Sequence, residues 1–496
     1  MPKNFRKFII IGLVLLLLFF GNKLRAFRYD FAPQPLSVLD EYSFAWQGLS
    51  LLTNGIPVSW SGFEAYENPY PLTKIKKWFK TSIQIDGQPI SLRNFKNYSK
   101  PETFISSLDL PDGVRQIHFV QPYLDHPPLT GLLIGGYEYF KGARFFSDVS
   151  ARMMRKPALY AAILTTFLIF LFGSLTYSRK VGLLGALIYS TVPTFVISSR
   201  MALAENFLNP TALLFLICLF LYSKKEKKIF FYLGSILAGL AILLKISGIF
   251  LLLMGIFLFV FKRRPLKEIF IFSIIALLIG SLYLIYGWYY DSQTFIKILF
   301  SQSQKAFLGP FTFLYSLVYP RITKAFLDGW VVWGFISLFF IVFKSEWRKH
   351  FWLLSPIFSY LLIFIFLGSN DFGWYRYPFF PWLSLCLALN ILEIYQNPSL
   401  GKILFFMLIP FASSLKWGTG VEVWQPYLLI FRIVVFISMI LLLLEVLGKF
   451  KKKKFSRVLS FVFLVIVMVA IILNIQSTRL VTINWYLLKD IPLFEF

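Results

Sequence analysis

The stretch PPLTGLLIGGYEYF, residues 127–140, decides how the chain is threaded. It is apolar enough to pass for a membrane span. As a helix, however, it would reach only roughly 21 Å at about 1.5 Å per residue, short of the ~30 Å hydrocarbon core. Gly131, Gly135 and Gly136 also interrupt it. Charge parity resolves the choice. The strongest basic turns are Lys224–Lys228 (KKEKK), Lys262–Lys267 (KRRPLK), Lys344–Lys349 (KSEWRK) and Lys449–Arg457 (KFKKKKFSR). If 127–140 does not cross, these turns share the N-terminal side with Arg179, Lys180 and Lys402. That side then holds 23 Lys and Arg, against about ten in the opposite turns after residue 156. If it crosses, KKEKK and the poly-Lys turn change sides. Cytoplasmic turns collect Lys and Arg, so the first arrangement is expected. Residues 127–140 then form a helix lying in the outer interface. Arg152, Arg155 and Lys156 stand outside as exceptions, which a long loop tolerates.

Working outward, the chain of 496 residues is 57% apolar and 15% charged, with a mean hydropathy of +0.68. A soluble domain carries roughly 25% charged residues. Apolar runs recur from end to end, which predicts an all-α polytopic membrane protein. Besides the first run, FIIIGLVLLLLFF, they fall near 157–176, 181–197, 207–222, 229–243, 246–261, 268–290, 327–343, 351–368, 379–395, 402–415, 427–447 and 456–474, giving about 13 transmembrane helices. The first run lacks a small-x-small cleavage signal after it and reads as a span rather than a signal peptide. The net charge of +26 sits in short turns between spans, a membrane pattern that excludes nucleic acid as the partner. Cys218 and Cys386 lie inside apolar runs and read as packed thiols, with no disulfide framework.

The expected organisation is a first transmembrane helix over 1–20, an extracytoplasmic loop over 21–156, a transmembrane helical domain over 157–474 and an extracytoplasmic tail over 475–496. The loop opens and closes with interfacial helices. Its middle, about 56–122, is rich in turn signals, and IQIDGQPISL predicts a hairpin on an Asp-Gly turn. Asn97-Tyr98-Ser99 is a formal glycosylation sequon. A second outer loop is expected over about 291–326, long enough to be mobile.

Acids are scarce, 24 against 50 Lys plus Arg, so an acidic pair outside the first span marks a candidate site. Asp40 and Glu41 lie in SVLDEYSFAWQGLSLLTNG, residues 37–55. The same face collects DHPP (125–128) with His126, SSRMALAEN (198–206) with Arg200 and Glu205, Lys245 in GLAILLKISG, and Arg376-Tyr377 in SNDFGWYRYPFFPW. Charges at membrane depth are costly and default to functional candidates. Plainer readings stand beside each. Ser37 and Asp40 fit a capping box. Glu205 fits a first-turn acid favoured by the helix dipole. Lys245 fits a snorkelling lysine, Arg376 an interface anchor and His126 a satisfied loop histidine. Glu41 sits about 100° from Asp40 around a helix and points elsewhere.

In order and sidedness these elements resemble the GT-C superfamily of membrane glycosyltransferases, family 39 type, which includes protein O-mannosyltransferases and lipid A aminoarabinose transferases. The resemblance rests on Asp40-Glu41 opening the first outer loop, the His-Pro element of DHPPLTGLLIGG, and Arg200 with a downstream acid in SRMALAEN. It extends to Gly239 through Lys245 and the Arg-Tyr-x-x-Pro element from Arg376. It covers about residues 8–265 well; beyond that it rests on the Arg-Tyr element and the span count. Glu205 stands where Asp is common, and the 56–122 insert is longer than expected.

The resemblance implies transfer of a sugar from a polyprenyl-phosphate donor to an extracytoplasmic glycan, lipid or protein acceptor, with inversion. It implies Asp40 and Glu205 as catalytic residues, and Glu41, His126, Arg200, Lys245, Arg376 and Tyr377 as substrate-binding residues. Some relatives bind a divalent cation, which keeps one open here; two isolated acids do not by themselves establish a site. The membrane is then bacterial plasma membrane or endoplasmic reticulum, and the short loops and scarce cysteines favour the first, with a cytoplasmic N-terminus and the site facing outward. The rival classes are a flippase of lipid-linked sugars, which predicts repeat symmetry and charges near the midplane, and a polysaccharide ligase or polymerase, which predicts a dominant late loop. Arg432 is the one charge a few residues into a span, and the dominant loop is the first.

Overall fold

The computed structural model describes residues 3–33, 40–63, 65–66, 76–80, 84–85, 88–89, 92–96, 104–110, 113–303, 328–343, 347–366, 373–420, 422–447 and 452–485. Each of the thirteen apolar segments carries a helix. Among the described residues, seven helices are long and apolar enough to cross a membrane, and four shorter apolar ones accompany them. The chain is an integral membrane protein of helical architecture.

Helix α1 spans Lys3–Ala26, beyond the expected end at residue 20. Helix α2 spans Asp40–Asn54, with both acids in its first turn, where the helix dipole favours them. Ser37 of the expected capping box lies outside the described residues. Helix α3 spans Pro128–Phe140, starts on a proline, which needs no helical N–H partner there, and packs along α2. It stays too short to cross.

The three α3 glycines do something the sequence did not reveal. They do not break a span; two of them let two backbones touch. A Cβ on Gly48 of α2 would sit 1.8 Å from the Gly131 carbonyl oxygen, and one on Gly135 would sit 2.4 Å from that of Ala45. Only hydrogen fits at such crossings.

The bundle follows as α4 (Lys156–Thr176), α5 (Arg179–Thr191), α6 (Ala204–Lys225), α7 (Lys228–Leu244), α8 (Phe250–Phe261), α9 (Leu266–Gly280), α10 (Leu282–Ser303), α11 (Gly329–Val342), α12 (Phe351–Phe366), α13 (Phe380–Gln396), α14 (Leu400–Phe406), α15 (Ala412–Thr419), α16 (Leu428–Val446) and α17 (Lys452–Ile483). Sequence neighbours pair as α4 with α5 and α6 with α7, while α13 packs between α5 and α11. The KKEKK turn closes on Glu226 in the left-handed region (φ 54°), and α5 starts on Ser178, whose hydroxyl accepts from the Val181 amide.

The insert carries β1 (Ser59–Ser61), β2 (Gln84–Ile85), β3 (Gln88–Pro89), β4 (Leu92–Lys96), β5 (Phe104–Leu110) and β6 (Gly113–Val120). The order β1-β6-β5-β4 forms an antiparallel sheet. The expected hairpin is present, pairing Gln84 with Pro89 and Ile85 with Gln88. The sheet seats on α2 through buried aromatics: Trp46 stacks at 5.6 Å on Phe119 and at 4.9 Å on Phe146. The sequon at Asn97 lies outside the described residues.

One loop expectation needs correction. Helix resumes after a kink at Asp291 (φ −165°, ψ 98°) and runs to Ser303, so the outer segment beginning at 291 is ordered helix in its first part. Asp291 caps that restart, its carboxylate accepting from the Thr294 amide and hydroxyl.

Candidate active site

Two buried ion pairs organise the end of the bundle where α2 and α3 lie. In the first, Glu41 meets Arg155 side-on, at 2.9 Å to Nε and 2.6 Å to Nη2. Both side chains are fully buried. Glu41 Oε1 also accepts from the Ala202 amide at 2.7 Å, and Arg155 Nη1 donates to the Tyr29 and Pro33 carbonyls at 2.8 Å each. Bidentate geometry with satisfied remaining donors is what makes a buried pair tolerable. Arg155, one of the charges that fitted the parity rule badly, is therefore the internal partner of Glu41. Arg200 is buried nearby. It donates to the Ala32 carbonyl at 3.1 Å, the Thr482 hydroxyl at 3.0 Å and the Leu24 carbonyl at 3.1 Å. It ties the end of α1 to α17.

In the second pair, Lys245 donates to Glu205. Lys245 caps α7 in extended conformation (φ −159°, ψ 143°), and the chain turns into a 3-10 turn, Ile246–Ile249, before α8. Its ammonium lies 4.4 Å above the Tyr375 ring. Tyr375 belongs to a 3-10 segment, Gly373–Phe379, braced by the Tyr360 hydroxyl donating to the Tyr375 carbonyl at 3.0 Å. Burial opposes the charge on Lys245, but Glu205, Tyr375 and the more distant Asp40 outweigh it and hold its pKa above the ordinary lysine value.

This second pair faces a cavity. A space of about 120 Å³ is walled by Asp125, His126, Pro127, Lys245, Ser247 and Tyr375, with Leu299, Gln302 and Ser303 closing it from α10. Asp125 accepts from the Tyr66 hydroxyl at 2.7 Å, and Tyr66 accepts from the Leu124 amide at 2.9 Å. Burial and then the Asp125 charge push the Tyr66 phenol well above its usual pKa, so it stays a donor. Gln302 donates to the Asp125 carbonyl. Gln47 of α2 donates to the His126 carbonyl at 3.1 Å, and Thr130 of α3 to the Leu244 carbonyl at 2.7 Å, locking the DHPP turn to α2 and α7. The His126 ring lies 4.9 Å from Phe44. Asp40 is half-buried at the start of α2, within electrostatic reach of both Lys245 and Tyr123.

The structure thus places His126 and Lys245 in the cavity wall, with Glu205 paired to Lys245 behind it and Asp40 within electrostatic reach of Lys245. Glu41 and Arg200 bind protein groups away from it. Tyr377 donates to the Met201 sulfur at 3.1 Å, and Arg376 is buried in the same segment. Sequence reasoning missed Tyr66, Ser247, Gln302, Tyr360 and Tyr375. Tyr375 neighbours the Arg-Tyr element, and Gln302 fell in an expected loop. Among the described residues, no three His, Cys, Asp or Glu side chains stand together to hold a metal ion.

The architecture is that of the GT-C membrane glycosyltransferases. Residues 125–287 match the family model described as dolichyl-phosphate-mannose-protein mannosyltransferase. The match takes in His126, Glu205 and Lys245 and leaves out Asp40 and Arg376. ArnT from Cupriavidus metallidurans in the apo state aligns with a TM-score of 0.53 at 11% identity, over 96% of this chain and 77% of that one. The same protein bound to undecaprenyl phosphate aligns with a TM-score of 0.51 at 12% identity, over 97% and 77%. The archaeal oligosaccharyltransferase AglB from Archaeoglobus fulgidus, in complex with an inhibitory peptide and a dolichol-phosphate, aligns with a TM-score of 0.50 at 11% identity, over 96% and 56%. No curated protein matches the chain. At these identities the structural likeness is one of fold.

Proposed function

We propose that the chain is an integral-membrane glycosyltransferase that moves a sugar from a polyprenyl-phosphate carrier to an acceptor hydroxyl of a glycan, lipid or protein. The observation that carries this reading is the cavity beside the Lys245–Glu205 pair, at the bundle end where a lipid headgroup arrives. The family match across 125–287 and the fold shared with carrier-binding enzymes support the donor class. The basic turns at the opposite end support a cytoplasmic N-terminus and an outward-facing site, and the short loops and scarce cysteines a bacterial plasma membrane.

In this mechanism the Asp40 carboxylate takes the acceptor proton as the acceptor oxygen attacks the anomeric carbon. The bond from that carbon to the carrier phosphate oxygen breaks on the opposite face, inverting the configuration. The phosphate leaves with one more negative charge, and the Lys245 ammonium stabilises it in a site where water is scarce. Glu205 holds Lys245 in place, and His126 and Arg376 line the phosphate's approach. Glu41 fixes the start of α2, from which Asp40 projects, and Arg200 ties the end of α1 to α17. No step requires a metal ion.

The test is Asp40→Asn in reconstituted vesicles supplied with a polyprenyl-phosphate sugar. A positioned general base contributes about 10²–10⁴-fold, so transfer should fall by that factor while the folded yield is unchanged. Wild-type turnover in this variant would sink the assignment. Mass spectrometry of glycoconjugates from cells with and without the gene identifies sugar and acceptor together.

A further inference from the structure

A second, larger cavity lies between α1, α5, α13 and α17, with a volume of about 940 Å³ and no lining residue in common with the first. Its wall is mostly apolar and rich in leucine, including Leu17, Leu184 and Leu187. Along α1 it runs from Leu13 to Phe27, roughly 21 Å at the helical rise, about two-thirds of a ~30 Å hydrocarbon core. Its ends are basic. Lys23 and Arg479 lie at the end nearer the candidate active site, and Lys180 lies at the other. Among the described lining residues there is no Asp or Glu.

The two cations at the site end ride on aromatic rings, Lys23 5.6 Å from the Phe19 centroid and Arg479 5.9 Å from that of Phe27. Neither has a carboxylate partner among the described residues. A polar group also opens there. The Ser190 hydroxyl is buried, has no hydrogen-bond partner among the described residues, and lines the cavity beside Gly21, whose absent side chain leaves room for it. An orphaned buried hydroxyl costs free energy until a ligand engages it.

We infer that this groove binds one anionic phospholipid, with its phosphate between Lys23 and Arg479, an ester carbonyl accepting from Ser190, and an acyl chain along the leucine wall. A long apolar trough with a cationic mouth and no acid matches the two ends of such a lipid. The polyprenyl carrier is a poorer match, because a carrier seated here would hold its phosphate away from Lys245. The site does not depend on the proposed transfer activity.

The test is native mass spectrometry of the full chain released from nanodiscs containing phosphatidylglycerol and phosphatidylcholine. The expected result is one retained phosphatidylglycerol. At about 1 kcal/mol per cation near a charged membrane surface, Lys23→Ala combined with Arg479→Ala should lower the preference for the anionic lipid about 30-fold. Lys23→Gln alone should lower it about 5-fold, which keeps the proposal testable if the double variant folds poorly. Leu187→Trp, which fills the trough, should displace the lipid. Equal retention of phosphatidylcholine, undiminished retention in Leu187→Trp, or preferential capture of an added polyprenyl phosphate would each overturn it.

Discussion

Glu41–Arg155 and Glu205–Lys245 are the same chemistry in two settings. Both pairs are buried, and both join segments far apart in sequence. Glu41–Arg155 has every oxygen and most nitrogens engaged by protein, including two carbonyls that follow α1 and one amide before α6. In Glu205–Lys245 the lysine borders a cavity and its ammonium lies over an aromatic face, with the glutamate buried behind it. The difference shows what separates a structural pair from a functional one at a membrane surface: whether a ligand can replace part of the pair's surroundings. Charge type and sequence position do not decide it.

The comparison breaks most visibly through Arg155→Ala. That change strands a buried carboxylate, so about 3–5 kcal/mol of stability should be lost and little folded protein recovered from membranes. Detergent-solubilised yield and thermal melting measure it; a well-folded, active Arg155→Ala protein would show that Glu41 is not held as described.

Lys245→Ala should separate folding from chemistry. Lys245 forms part of the cavity wall, so the space it vacates opens the cavity onto the buried Glu205; water can then reach that carboxylate and the fold should survive. Turnover should drop about 10²–10³-fold, the usual effect of removing one charge-stabilising donor. Equal losses of folded yield in the Lys245 and Arg155 variants would erase the distinction between the pairs.

Gly48→Ala asks whether the Glu41 pair alone seats α2. Its new methyl would meet the Gly131 carbonyl, so a loss of about 1–3 kcal/mol in melting experiments is expected despite alanine's better helix propensity. A neutral result would mean that α2 and α3 shift apart freely.

The smallest effect concerns a third buried acid. Glu138 in α3 has neither carboxylate oxygen bonded among the described residues, and burial pushes its pKa well above the usual value. The folded state therefore holds a proton that the unfolded chain releases above the ordinary glutamate pKa. The stability tied to Glu138 is full below that value and falls as pH rises towards its folded pKa. Glu138→Gln should flatten this slope and raise stability by about 1 kcal/mol at pH 8, with little change at pH 4. Parallel pH slopes for variant and wild type would contradict the buried, unpartnered placement.

The periodicity of apolar runs was enough to read a helical membrane protein, a short helix over 127–140 and the pairing of Gln84–Ile85 with Gln88–Pro89, because bilayer thickness and side-chain patterning constrain local sequence directly. The site was legible only as a roster of unusual polar residues on one face. Helical rotation alone turns the adjacent Asp40 and Glu41 apart, but only the folded chain supplies their partners, setting Glu41 on Arg155 and leaving Asp40 within electrostatic reach of Lys245. Tyr66 and Gln302 join Asp125 from an irregular insert and from a helix resumed after a kink. No local signal marks these partners, because each comes from packing between elements distant in the chain. What this sequence determined alone was the solvent each segment prefers. Which charges meet, and which of them face a cavity, was decided by tertiary structure.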